Sequence, residues 1–286
     1  MKVYVGMDVH SKKIVYAVVD QKGRVVSQAE VETSRAGLRK LVKEARLKKG
    51  TEVALESGVQ AFWVVEELFE LGMEPVVINA HEVRAKARRR NQKSDRRDAL
   101  ELADGLRRGI YESRVFVPDK KLALLRQVLS RRRHFVKVST MQINAARFLL
   151  RQRGIDFKGT LSSEDSWNEL LSHPRAKAIR HHLELHAEMW RLAQKNIAEL
   201  EQELQKICRA FKKELELLTT IPGVGLITAA TFLAVVGRPE RFSDSGKLSS
   251  YLGLVPSSYD SGETVRRGRI TKSGSAPLRA VLCEAA

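Results

Sequence analysis

The chain has 286 residues, with 51 Lys or Arg against 34 Asp or Glu, a net charge of +17 and a pI near 10.1. That length suits about two domains with real cores, and that charge suits an extended polyanion, nucleic acid first, through release of condensed counterions. No apolar run approaches the roughly 18 residues of a spanning helix, no signal-peptide pattern precedes the first strand, and Cys208 and Cys283 show neither disulfide nor zinc spacing, so a soluble cytoplasmic protein with no membrane partner is expected.

Lys2 to Asp20 reads as a hairpin: Val3, Val5 and Met7 alternate with Tyr4, Gly6 and Asp8, and Ile14, Tyr16 and Val18 repeat the period of two. Asp8 therefore falls near the end of a hydrophobic strand, where a carboxylate either faces water or is held by a cation. Residues 24–33 read as a third strand. Ser34 caps a predicted helix over 35–49 with an apolar stripe of Leu38, Leu41, Val42 and Ala45. A short strand, TEVALESG, ends at Glu56 as the first ends at Asp8; a helix over 61–71 and a strand over 75–78 follow. Helix crossovers make neighbouring strands parallel, so a mixed sheet is predicted.

Residues 81–108 carry the densest positive charge, including Arg88, Arg89, Arg90 and Lys93. If Ser94 caps a helix, Asp95 and Asp98 share its first turn and one face. Taken alone, these acids could be surface salt pairs; Asp104, farther along, reads as structural.

Asp8 in GMDVHSKK, Glu56 in ALESG, and Asp95 and Asp98 in KSDRRDA resemble, in order and local context, the Asp-Glu-Asp-Asp signature of RuvC-like domains in the insertion-sequence-110 transposases, relatives of the Piv-type DNA invertases. The resemblance implies an α/β, RuvC-like RNase H fold over about residues 1–110, with the four acids holding Mg²⁺. Such chemistry asks for hard oxygen ligands around a scissile phosphate.

Residues 111–217 read as a helical region. Leu122, Leu125, Leu129, Val136, Ile143 and Leu150 fall on heptad positions interrupted by Arg132 and Ser139, and a cleaner seam runs from Leu183 to Leu218. An antiparallel hairpin or a dimerising arm both fit this coiled coil. Arg131, Arg132 and Arg133 form a basic cluster suited to phosphate or to a solvated face. His181, His182 and His186 invite a metal reading but lack a third ligand nearby.

Residues 218–286 should form a small, mainly helical domain. PGVG at 222–225 resembles a helix-hairpin-helix turn, able to offer backbone N–H groups to phosphate. The following LGL-x-P, Ser-Gly, Arg-Gly-Arg-Ile and Lys-x-Gly-x-x-x-Leu-Arg order resembles the C-terminal transposase domain of the same family. In it Ser261 matches the serine that attacks DNA and becomes joined to it, with Arg266, Arg267, Arg269 and Lys272 supplying cations. Residue chemistry by itself does not choose Ser261 over Ser257, Ser258, Tyr259, Ser273 or Ser275. Relatives usually continue past the Leu-Arg motif, so the chain is expected to be a compact or shortened member.

The resemblance implies a recombinase of a bacterial insertion sequence that cuts and exchanges donor and target DNA strands. It implies too that a structured bridge RNA guides the protein and that it acts as a homodimer or homotetramer. The competing functions are a junction-resolving endonuclease that uses water and a non-catalytic nucleic-acid-binding protein.

Overall fold

The computed structural model describes residues 2–86, 94–261 and 264–286, the side chains of 258–261 and 264–266 excepted. The chain forms two compact units, Met1–Val117 and Pro118–Ala286.

In the first unit, strands β1 (Val3–Val9), β2 (Lys13–Asp20) and β3 (Val25–Glu32) lead through helix α1 (Arg35–Glu44) to β4 (Glu52–Glu56). Helix α2 (Ala61–Glu70), strand β5 (Glu74–Ile78), helix α3 (Ala80–Lys86) and helix α4 (Asp95–Arg108) follow. The strands make one sheet of order β3-β2-β1-β4-β5. β1 to β3 are antiparallel, and β4 and β5 run parallel to β1, which is the arrangement of an RNase H fold of the RuvC-like kind.

Strand alternation assigns the two faces. Val5, Met7, Tyr16, Val53 and Leu55 pack with Leu38 and Leu41 of α1 and Val64 and Leu68 of α2. The opposite face carries Val15, Ala17, Val19 and Ala54 beneath Ala99, Leu102 and Ala103 of α4. β2 is buried on both faces from Ile14 to Asp20 because it lies inside a three-layer sandwich. Each large aliphatic side chain so buried contributes about 1.5–3 kcal/mol.

The predicted helix over 35–49 stops at Glu44 instead. Arg46 turns left-handed at φ 49°, and the early stop folds Leu47 back onto the core.

In the second unit, α5 (Lys120–Gln152) and α7 (Arg180–Cys208) form a helical hairpin capped by α6 (Glu164–Ser172), which buries Trp167 against Trp190. Its sense is antiparallel: Arg132 pairs with Glu201 at 2.7 Å, Ser139 with Gln194 at 3.0 Å and Gln142 with His186 at 2.8 Å. Both interruptions of the heptad seam thus have a polar partner across it. The seam predicted to reach Leu218 breaks at a 3₁₀ turn, Arg209–Phe211, after which α8 (Lys212–Thr219) packs on α9 (Leu226–Val236) and buries Leu215.

The PGVG segment joins α8 to α9. Gly223 there has φ +82°, and a Cβ would overlap the Ala285 carbonyl oxygen. Helix α10 (Ser245–Tyr251), strands β6 (Pro256–Ser261) and β7 (Thr264–Ile270), and helix α11 (Ala276–Ala285) complete the unit. The part expected to be mainly helical therefore includes an antiparallel β-ribbon, and Ser261 lies on it.

Candidate active site

Asp8 and Glu56 end adjacent parallel strands. Gly6 pairs with Ala54 and Met7 with Leu55, so the next residues, Asp8 and Glu56, lie side by side on the face covered by α4. The same ladder sets Gly6 beside Ala17 of β2. Gly6, Ala17 and Ala54 make a row of small residues across three strands, and Ala99 and Ala103 of α4 settle onto it. This close approach brings the start of α4 to the end of β1. Ser94 caps α4 by accepting the Arg97 amide at 3.4 Å, leaving Asp95 and Asp98 in the first turn. The positive end of the helix dipole favours carboxylates there.

Two residues that the sequence patterns passed over join them. His10 Nε2 lies 3.0 Å from Asp8 Oδ2 and 3.3 Å from Asp95 Oδ1. Lys13 Nζ lies 3.0 Å from Asp95 Oδ2. Their only sequence signal is their place in the polar turn directly after Asp8.

Burial pushes the Asp8 carboxyl above its usual range; His10 opposes this, and the charges of Asp98 and Asp95 add to it. The hydrogen bond from Lys13 draws Asp95 below its usual range, with His10 adding to that pull. Two neighbouring carboxyls are thus shifted in opposite directions, a pattern common at functional sites.

Donor atoms of Asp8, His10 and Asp95 all lie within 4.8 Å of one another. Although His10 Nε2 is close to two carboxylate oxygens, neither contact has hydrogen-bond direction, and this buried atom has no hydrogen-bond partner. Converging carboxylates around an orphaned nitrogen fit a divalent cation. Glu56 and His10 line one cleft with Ser11, Gly58 and Gln60, and Arg84 Nη2 stands 3.9 Å from Glu56 Oε1. Asp104 is held by Arg107 at 2.7 Å and Arg108 at 3.5 Å.

The basic residues fall into several settings. Arg131 and Arg133 are exposed on α5, whereas Arg132 is tied to Glu201. Arg267 and Arg269 are exposed on β7, and Lys272 is exposed just beyond it with φ 55°. Ser261 ends β6 opposite Thr264, and Tyr259 pairs with Arg266 in the same ladder. The side chains of Ser261 and Arg266, and all of Arg88, Arg89, Arg90 and Lys93, lie outside the described residues. Among the described residues no helix is long and apolar enough to cross a membrane.

A family model described as "Transposase" (DEDD_Tnp_IS110) matches residues 5–154. A second model, described as "Transposase IS116/IS110/IS902 family", matches residues 215–286. The protein y4qE of Sinorhizobium fredii, provisionally named a transposase, is 31% identical over 295 residues, covering 99% of this chain and 70% of that protein. The transposase for insertion sequence element IS1111A of Coxiella burnetii is 28% identical over 290 residues, covering 98% of this chain and 76% of that one. Among solved structures, T. thermophilus RuvC in complex with Holliday junction substrate aligns with a TM-score of 0.30 and 16% identity, over 40% of this chain and 100% of that chain. With one family model over more than half its length and a relative of this identity along nearly all of it, the chain belongs to the IS110 family of transposases.

Proposed function

We propose that this transposase cuts and rejoins DNA with two sets of residues: Asp8, Glu56, Asp95 and Asp98, which hold Mg²⁺, and Ser261, which attacks the phosphodiester. The observation that carries the reading is the convergence of Asp8 and Asp95 on the buried His10 nitrogen. When bound, the cation supplies Lewis-acid stabilisation of charge on the scissile phosphate. Asp8, at a strand end, and Asp95, in the first turn of a capped helix, already bring their carboxylate oxygens within 4.8 Å; in this reading Glu56 and Asp98 complete the oxygen donor set.

In the attack, the Ser261 hydroxyl loses its proton to a base and its oxygen bonds to phosphorus. The leaving sugar oxygen departs with the electron pair of the broken P–O bond and takes up a proton. The cations of Arg266, Arg267, Arg269 and Lys272, near Ser261 in sequence, suit the growing charge on the phosphate. The acids belong to one compact unit and Ser261 to the other, so this chemistry requires both units to reach one phosphate, within a chain or across the subunits of a dimer or tetramer. The net charge of +17 suits simultaneous contact with DNA and a guide RNA.

The proposal is tested by sequencing RNA that copurifies with the protein and assaying cleavage of the DNA it matches. A single discrete RNA is expected, with Mg²⁺-dependent cutting lost in Asp8→Asn and Asp95→Asn while DNA binding persists. A second reading, a nuclease that uses water, is favoured by the grouping of the acids within one unit. It requires strand cutting to survive Ser261→Ala.

A further inference from the structure

The turn that carries His10 is fixed on both sides. The His10 amide donates to the Lys13 carbonyl at 3.0 Å, and its own carbonyl accepts from Thr33 Oγ1 at 2.8 Å. The backbone of His10 is therefore held by bonds that do not involve the acids. Lys13 in turn occupies Asp95 Oδ2 and leaves Oδ1 to face His10.

In this frame Nε2 makes no directed hydrogen bond, yet it stands against one oxygen of each carboxylate, and all three donor atoms lie within 4.8 Å of one another. In an octahedral shell with metal–ligand distances of about 2.1 Å, adjacent donors stand about 3 Å apart. The separations of 3.0 Å from His10 Nε2 to Asp8 Oδ2 and 3.3 Å to Asp95 Oδ1 are those of neighbours in one shell.

We propose that His10 is a nitrogen ligand of the cation held by Asp8 and Asp95, giving a mixed nitrogen and oxygen donor set that binds Mn²⁺ more tightly than Mg²⁺. This inference rests on the metal reading above and extends it to a residue outside the four acids. Imidazole favours the first-row transition ions, whereas Mg²⁺ takes oxygen and keeps its waters.

The test uses the full chain without DNA, loaded with Mn²⁺. Pulsed electron paramagnetic resonance reads nitrogen coupled to the ion, and calorimetry reads affinity for Mn²⁺ and, separately, Mg²⁺, in the wild type, His10→Ala and Asp8→Asn. Expected are an imidazole nitrogen signal in the wild type that disappears in His10→Ala, Mn²⁺ affinity at least about tenfold weaker in that variant, and a smaller change for Mg²⁺. Mn²⁺ that binds in an Asp8-dependent way with no nitrogen coupling in the wild type would overturn the role of His10 and leave the metal reading standing. Failure of the wild type to bind Mn²⁺ at all would overturn both.

Discussion

Gly6 lies directly under Ala99: a Cβ on Gly6 would overlap the Ala99 carbonyl oxygen and the Ala103 amide nitrogen and stand 2.8 Å from Leu102 Cβ. Two of these obstacles are helix backbone, which cannot rotate away. Gly6→Ala should therefore lift α4 from the sheet and destabilise the first unit by about 1–3 kcal/mol. Because α4 carries Asp95 and Asp98, the same change should weaken cation binding. Urea denaturation and calorimetry check the two effects.

Burial of the Asp8 carboxylate works against the cation-free fold. Its folded pKa is raised by burial, so its contribution to stability is present below the ordinary aspartate range and is lost as pH rises through the raised value. Asp8→Asn should flatten that dependence and, at neutral pH without cation, raise stability by about 0.5–2 kcal/mol while removing cutting. Thermal denaturation across acidic to neutral pH, with and without Mg²⁺, measures this. Added Mg²⁺ should stabilise the wild type and leave the variant unchanged.

Glu82 anchors α3, the helix whose Arg84 approaches Glu56. It accepts the amides of Glu112 at 2.8 Å and Ser113 at 2.7 Å and pairs with Lys86 at 2.8 Å. Burial pushes its carboxyl up, but Lys86 and the two amides outweigh burial and bring it down to about 2. A depressed folded pKa gives stability that is present above the unfolded value of 4.5 and lost as pH falls towards about 2. Glu82→Gln should remove this acid-side loss and reduce stability at neutral pH by about 1.5–3 kcal/mol, as read by denaturant titration at several pH values.

Local pattern carried much of the first unit. The strand alternation that ends at Asp8 and Glu56, and the Ser94 cap that sets Asp95 and Asp98 in one turn, are properties of short stretches, and the mixed character of the sheet follows from strands joined by helix crossovers. His10 and Lys13 left no such signal, since their meeting with Asp95 depends on how α4 lies across the sheet. Gly6 was one member of an alternating strand until its packing against Ala99 gave it a reason. In the second unit the heptads marked α5 and α7, yet they run on through Arg209–Phe211, where the helix breaks before α8 packs on α9. For Ser261, the family motif and not residue chemistry singled it out, and its strand register with β7 is a tertiary fact that periodicity does not encode.

Within the hairpin, Ser139 is buried and its hydroxyl accepts from Gln194 Nε2 at 3.0 Å. Gln194→Leu should destabilise the hairpin by about 1–3 kcal/mol by leaving that hydroxyl without its donor. Adding Ser139→Ala should recover most of the loss. A double-mutant cycle by denaturation gives the coupling directly.

The most direct test of the chemistry follows end-labelled DNA, matched to any copurifying RNA, on a denaturing gel after incubation with Mg²⁺ and the wild type, Asp8→Asn or Ser261→Ala. A covalent protein–DNA adduct in the wild type that is absent from both variants is expected for acids and a serine acting on one phosphate. Free cleaved ends that persist in Ser261→Ala would contradict it and assign the nucleophile to water.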